Sequence, residues 1–392
     1  MPRCYEYPGV RAWPGCGSAT FSPGSCTYLD NVWRIHAVLR NGIETAGNFF
    51  ATNELSSTRI DQSTDTDPFS ERSDHRISLS VQIMGERFLF ETASESLLRV
   101  VEMAYGGLPQ HSVPATAREF RIELRLLPRQ ISSKNAEPPP VQMISGAGFL
   151  CGVMDASNYV IMAPEQCRAL IVTSEEMLDR PYHLRYELIE FAVFILATRA
   201  LGLVSLHGAC VGRQGRGILL LGTSGSGKST LALHSLLDGL EFVAEDAVFV
   251  RPDNMLAVGV ANYLHVKADA LRFVEDDQAR RWISQAPTIR RRSGVEKFEV
   301  DLRQSQGRLA VIPMEIVGAV LVSSQSADDP TRLLYSLPEK EIGALLSADQ
   351  PYAVGQPGWY PFEQRLSELG VYQLRRGRHP KASVEALRDL LG

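Results

Sequence analysis

Alternating apolar and polar positions dominate the first part of the chain. Trp33–Leu39, Ile77–Ile83, Phe88–Glu91 and Phe120–Leu127 carry the period of two that marks half-buried strands, and further strands are expected around Met143–Val153 and Tyr159–Ile161. Ser94–Tyr105 has helical spacing instead, with Ser94 as cap and Glu95 in the first turn. Asn53 to Asp74 reads as a polar loop, and Asn135-Ala-Glu-Pro-Pro-Pro140 as a hinge or surface loop. Residues 1–28, rich in Gly, Pro, Ser and Cys and without periodicity, are expected to form a disordered tail.

The pattern changes near Pro181. Tyr182–Leu201 is almost continuously apolar and predicts a long buried helix that closes near Gly202. Within it Leu188–Val204 could pass for a membrane span, but Glu190, Arg199 and the preceding Glu187 make it a core helix. Val204–Val211 and Ile218–Leu221, separated by a glycine-containing turn, predict a β-hairpin. A helix at Ser229–Leu237, strands at Glu241–Val250, Met255–Val260 and Val317–Leu321, and a last helix at Ser383–Leu391 complete the reading. The expectation is a β-rich α+β N-terminal domain over residues 29–180, followed by an α/β domain with a mixed sheet over 181–392.

Between the hairpin and the helix lies Gly222-Thr223-Ser224-Gly225-Ser226-Gly227-Lys228-Ser229, followed by Thr230, which is a complete G-x-x-x-x-G-K-[ST] phosphate-binding loop. Its glycines let backbone N–H groups point inward at phosphates. Lys228 supplies a charge near the β and γ phosphates, and the Ser229 hydroxyl can ligate Mg²⁺. The following helix starts where its positive dipole end is useful.

Two features sharpen nucleotide binding into phosphoryl transfer. Glu245-Asp246 interrupts the apolar run Phe242–Val250, and adjacent carboxylates are costly to bury without a partner such as a metal ion. Strand alternation would send the two side chains apart unless the strand bends there. His207, in Leu206-His-Gly-Ala-Cys-Val211, lies 21 residues before Lys228, and Asp246 lies 18 after it. This arrangement resembles the HPr kinase/phosphorylase family and its HPr-kinase-related relatives, which share a fold with phosphoenolpyruvate carboxykinase. The matched block runs from Leu206 to Val250.

The resemblance implies an HPr kinase/carboxykinase-like P-loop kinase domain that uses ATP and Mg²⁺. It implies Asp246 as general base toward a seryl hydroxyl, His207 beside it, Lys228 on the phosphates, and Ser229 with Glu245 on the metal. Glu245 stands where that family usually has a second aspartate. The glycine-flanked Leu-Glu-Ile-Arg segment of the true HPr enzymes has no counterpart after Asp246, and the N-terminal module reads differently. Both departures point away from HPr and toward the related kinases of peptide biosynthesis clusters, so the expected acceptor is a serine of a peptide or small protein. A small-molecule hydroxyl kinase and a non-catalytic regulatory nucleotide-binding protein stay open as alternatives.

Composition adds boundaries. A net charge of −5, with the charges well mixed, gives no general surface for nucleic acid, and no membrane partner is expected. Cys4, Cys16, Cys26, Cys151, Cys167 and Cys210 show no C-x-x-C pair, and no signal peptide is visible, so a cytoplasmic protein with reduced thiols is expected. Arg290-Arg291-Arg292 and Lys297 form a basic cluster suited to phosphate or acceptor contacts, with a solvated loop as the competing reading. His265 and Lys267 are weaker candidates, and the aromatic stretch from Trp359 to Phe362 reads more as packing than as a pocket. Assembly into a homo-oligomer is left open.

Overall fold

The computed structural model describes residues 76–110, 118–129, 137–304 and 307–392. The expected tail, the Trp33–Leu39 strand, the Asn53–Asp74 loop and the three N-terminal cysteines lie outside these residues.

The first sheet has seven strands. β1 (Ile77–Ile83) and β2 (Glu86–Thr92) form a hairpin; α1 (Glu95–Tyr105) then leads to β3 (Glu119–Leu127). β4 (Gln142–Gly146), β5 (Phe149–Val153), β6 (Tyr159–Ala163) and β7 (Arg168–Ser174) follow, giving the spatial order β1-β2-β3-β7-β6-β5-β4. β3 runs parallel to β2 and β7, and the other pairs are antiparallel. The expected strand Met143–Val153 is thus a hairpin, turning at Ala147 and Gly148, both at positive φ. Ser94 caps α1 as its sequence suggests, accepting the Leu97 N–H at 3.3 Å.

The long apolar helix is present but not uniform. Its first part, His183–Glu190, is π-helical, and only Phe191–Leu201 (α2) is α-helical, ending at Gly202 in the left-handed region. π turns inside helices are rare and concentrate at functional sites. Phe191 packs against Gly152 of β5, where an added Cβ would lie 2.5 Å from the ring. This segment is therefore seated on the first sheet.

The second sheet carries the phosphate loop. Its strands are β8 (Val204–Leu206), β9 (Ala209–Arg213), β10 (Arg216–Leu221), β11 (Glu241–Ala244), β12 (Val248–Arg251) and β13 (Leu256–Val258), and α3 (Lys228–Leu237) lies between β10 and β11. A small third sheet of β14 (Tyr263–Val266), β15 (Thr288–Arg290) and β16 (Glu296–Asp301), with α4 (Asp277–Ser284) inserted, packs beside it. β17 (Arg308–Leu309), β18 (Met314–Ser326) and β19 (Leu334–Ser336) return to the second sheet. α5 (Glu339–Asp349), α6 (Trp359–Leu369), β20 (Val371–Arg376) and α7 (Pro380–Leu391) close the chain. β10 is parallel to β18, and β18 to β20, while β9, β11, β12 and β13 add antiparallel neighbours, so the sheet is mixed.

Alternation along β10 separates two cores. Leu219 and Leu221 face a large core shared with α2, α6 and the first sheet, whereas Ile218 and Leu220 face a second core under α3 and α7. Trp359 and Phe362 belong to the first core, so the aromatic stretch at Trp359 is the buried start of a helix. Among the described residues, no helix is long and apolar enough to cross a membrane.

Candidate functional site

Two expected strands turn out to be broken at the same level. The chain from Val204 to Arg213 divides at His207-Gly208, and the chain from Glu241 to Arg251 divides at Glu245-Asp246-Ala247. β8 pairs with β12 on one side of the gap, and β9 pairs with β11 on the other. The expected hairpin strand and the expected single strand are corrected accordingly. At the gap the Ala247 N–H bonds the Glu245 carbonyl at 2.9 Å, closing a three-residue turn around Asp246, whose φ is +74°. A non-glycine residue held there is a local strain of the kind that collects at functional sites. Because the strand turns at Asp246, Glu245 and Asp246 reach different partners.

Glu245 faces the phosphate loop and the third sheet. Its Oε1 accepts a hydrogen bond from the Ser229 hydroxyl, and its Oε2 lies 3.3 Å from His265 Nδ1. Burial and the neighbouring Asp246 charge push the Glu245 carboxyl up, but His265 and Lys297 bring it below its usual range. Asp246 has other partners: Oδ2 receives Arg291 Nη2 at 2.9 Å, and Oδ1 lies 3.8 Å from His207 Nδ1. Burial opposes its charge, yet Arg291, His207 and Lys297 hold the carboxyl well below the usual carboxylate range. Burial, with the Lys228 charge, lowers His207 to about 4, which leaves its imidazole neutral near pH 7.

The loop from Gly222 to Gly227 has its three glycines at φ +130°, +83° and +112°. Gly222 could not be replaced cheaply, since a Cβ would fall 2.6 Å from the Val322 carbonyl oxygen. Its N–H donates to Asp349 Oδ2 at 3.0 Å. Lys228 is buried at the start of α3, with Nζ donating to the carbonyls of Gly222 and Thr223, so in this state the ammonium is folded onto its own loop. Burial depresses the Lys228 ammonium, opposed by Asp349, Asp246 and Glu245. Ser224 to Ser229 of the loop, with His207, Asp246 and His265, line a cavity of about 720 Å³.

Of the basic cluster, Arg291 and Lys297 line this cavity, and Arg290 and Arg292 do not. Arg290 is exposed on β15. Arg292 instead binds the buried Glu187 carboxylate and the carbonyls of Pro138 and Pro139, tying the Pro-rich segment to the π-helical one. The cluster thus divides between site and scaffold, because consecutive residues cannot all point one way.

Several site neighbours carry no sequence signal. Gln350 holds the backbone of His207 from both sides, with Oε1 accepting its N–H at 2.8 Å and Nε2 donating to its carbonyl at 2.9 Å. Gln356 does the same to Ser205, at 2.8 and 3.0 Å. These side-chain amides take the place of a missing strand beside β8. Behind Glu245, His265 Nε2 lies 2.9 Å from the Tyr186 hydroxyl, which also bonds Glu299 and Arg185. Tyr186 and Arg185 belong to the π-helical segment, as does Glu187, which Arg292 binds.

The donor set suits a hard cation. Ser229 and Glu245 already touch through oxygen, and ligating atoms of Glu245, Asp246 and His265 lie within 4.8 Å of one another. Oxygen donors beside a phosphate loop fit Mg²⁺.

No family model matches the chain. Over 191 residues it is 37% identical to HPr kinase/phosphorylase of Listeria monocytogenes serotype 4a (strain HCC23) and, equally, to that of serovar 1/2a (strain ATCC BAA-679 / EGD-e). The match covers 46% of this chain and 61% of each relative, so the chain spans about three fifths of the length of the curated relatives it matches. A solved HPr(Ser) kinase/phosphatase from Coxiella burnetii aligns at 16% identity and a TM-score of 0.25, covering 48% of this chain and 87% of that one, a superposition too loose to define a shared architecture.

Proposed function

We propose that the protein is a cytosolic kinase that uses ATP and Mg²⁺ to transfer the γ-phosphoryl group to a seryl hydroxyl of a peptide or small protein. The observation that carries this reading is the division of labour at the broken strand. Glu245 is bonded to the phosphate-loop Ser229, while Asp246, one residue on and close beside it, is held by Arg291 next to a neutral His207. One carboxylate can serve the metal while the second accepts the proton of an attacking hydroxyl. The similarity to HPr kinase/phosphorylase over 191 residues supports the same class of chemistry.

In this mechanism the loop amides and Lys228 hold the β and γ phosphates. Ser229 and Glu245 would hold the Mg²⁺, which offsets phosphate charge. The seryl oxygen forms a bond to the γ phosphorus as the bond to the ADP oxygen breaks, and the seryl proton passes to Asp246. Asp246 is a weak base while Arg291 is bonded to it. Arg291 is also placed to turn toward the transferred phosphoryl, which would raise the basicity of Asp246 as the proton moves. Phosphoryl transfer needs positioning and charge more than strong base.

The N-terminal domain, residues 29–180, is proposed to recognise the acceptor or mediate assembly, with 181–392 as the kinase domain and 1–28 as a tail. The test is intact-mass analysis of serine-bearing peptides after incubation with protein, ATP and Mg²⁺. A gain of one phosphoryl mass that Lys228→Ala abolishes supports the reading. Nucleotide binding with no gain on any peptide or small protein refutes it.

A further inference from the structure

The cavity wall is more basic than a nucleotide requires. Lys228 serves the loop, Arg291 is paired with Asp246, and Arg375 is paired with Asp328. That leaves Lys267, Arg272, Lys297, Arg376 and Arg378 lining the same space, and none of them has a carboxylate within ion-pair distance among the described residues. Arg272 lies over the Phe273 ring, and Arg376 reaches only the Ser226 carbonyl, at 3.5 Å. Asp269 is the one lining carboxylate not already engaged. A nucleoside triphosphate that carries its own divalent cation does not balance this set.

Part of this surplus lies beside the reacting groups. Lys297 is largely withdrawn from solvent, and burial together with the Arg291 and Lys267 charges disfavours its ammonium, with Glu245 and Asp246 only partly compensating. Like charges held together without a counter-ion are costly in the free protein, and the cost is relieved when an anion binds among them. Lys267 is exposed at the rim, where it can meet a ligand entering toward Asp246.

We infer that the acceptor is acidic: a peptide whose phosphorylated serine is flanked by carboxylates that dock on Lys267 and Lys297. This deepens the proposed kinase reading and rests on it only for the chemistry, since binding can be measured separately.

The test uses two fluorescent serine peptides, one with Asp and Glu beside the serine and one with Asn and Gln at the same positions. Anisotropy is read with the full chain, Mg²⁺ and a non-hydrolysable ATP analogue, and phosphoryl transfer is read by mass with ATP. The acidic peptide is expected to bind about tenfold more tightly, with the advantage shrinking as salt rises. Lys267→Glu is expected to erase the preference, and Lys267→Gln to halve it on a logarithmic scale, with the affinity for the nucleotide analogue unchanged. Equal binding of both peptides overturns the inference. So does a Lys267→Glu variant that loses nucleotide affinity instead, because Lys267 would then serve the nucleotide. Acidic preference without transfer would leave the docking inference standing and remove the kinase reading; equal transfer to both peptides would do the reverse.

Discussion

Replacing Asp246 by Asn separates chemistry from scaffold unusually well. Asp246 sits at φ +74° at the centre of a three-residue turn, and Asn, which has the same shape, occupies that turn with the strain already present. Asp246→Asn therefore changes charge with little backbone cost, whereas Asp246→Ala would mix in about 1 kcal/mol of strain. What is lost is the acceptor of a proton and the counter-charge of Arg291, which lies 2.9 Å away and is buried. The amide oxygen can still accept from Arg291, so stability should fall by about 1–3 kcal/mol rather than by the larger cost of stranding a guanidinium. Loss of a general base should slow transfer by about a hundredfold or more, roughly 2.7 kcal/mol on the barrier. Nucleotide affinity should hold, because Lys228, Ser229 and Glu245 keep their partners. The assay is ADP release in the presence of acceptor, beside analogue binding and a thermal melt on the same preparations. A folded variant that binds nucleotide and turns over at the wild-type rate would remove Asp246 from the mechanism.

Other perturbations test the supporting groups. Tyr186→Phe removes the hydroxyl shared by His265, Glu299 and Arg185; it should raise the Mg²⁺ concentration for half-maximal activity by about ten- to a hundredfold while ATP affinity changes little. Gln350→Ala frees the His207 backbone from both of its bonds; a loss of about 1–3 kcal/mol in urea unfolding and a lower kcat at unchanged KM for ATP are expected. Gly222→Ala forces a Cβ onto the Val322 carbonyl and should abolish nucleotide binding in an isothermal titration. Glu190 is buried, and burial raises its carboxyl to about 7. A value above the unfolded one means the native state holds the extra proton, so this contribution is present below about pH 4.5 and lost as pH rises through 7. Relative to wild type, Glu190→Gln should gain stability between pH 5 and pH 8, by about 3 kcal/mol at most; a difference that does not change with pH would contradict the burial argument.

What the sequence disclosed was local in character. The phosphate loop, the Ser94 cap, the strands Ile77–Ile83 and Phe120–Leu127, and the Gly202 stop follow from short-range rules about glycine, capping and alternation. The bend at Glu245-Asp246 was foreshadowed only as a condition for the two carboxylates to share a side; the strand does turn there, and the two carboxylates lie close together with His265 while each keeps its own partners. Periodicity could not show that Tyr182–Leu201 begins as a π-helix, because the same apolar residues satisfy either winding and the choice comes from tertiary contacts to Glu299, Arg292 and Gly152. Asp349, Gln350 and Gln356 were invisible for a related reason. Their roles depend on partners 127, 143 and 151 residues away, and nothing in their own neighbourhood marks them.

The π-helical segment sets a rule for recombining this protein. Residues 183–190 are continuous with the helix seated on the first sheet, yet Arg185, Tyr186 and Glu187 bond Glu299, His265 and Arg292, which belong to the other half. A chimera that joined a foreign N-terminal module at Gly202 would carry the phosphate loop and both carboxylates but leave His265 and Arg292 without their buried partners. A crossover placed before Tyr182 would keep those partners, provided the new module offered a recess for Phe191 such as Gly152 provides. The workable seam between the halves therefore lies one helix earlier than the start of the second sheet.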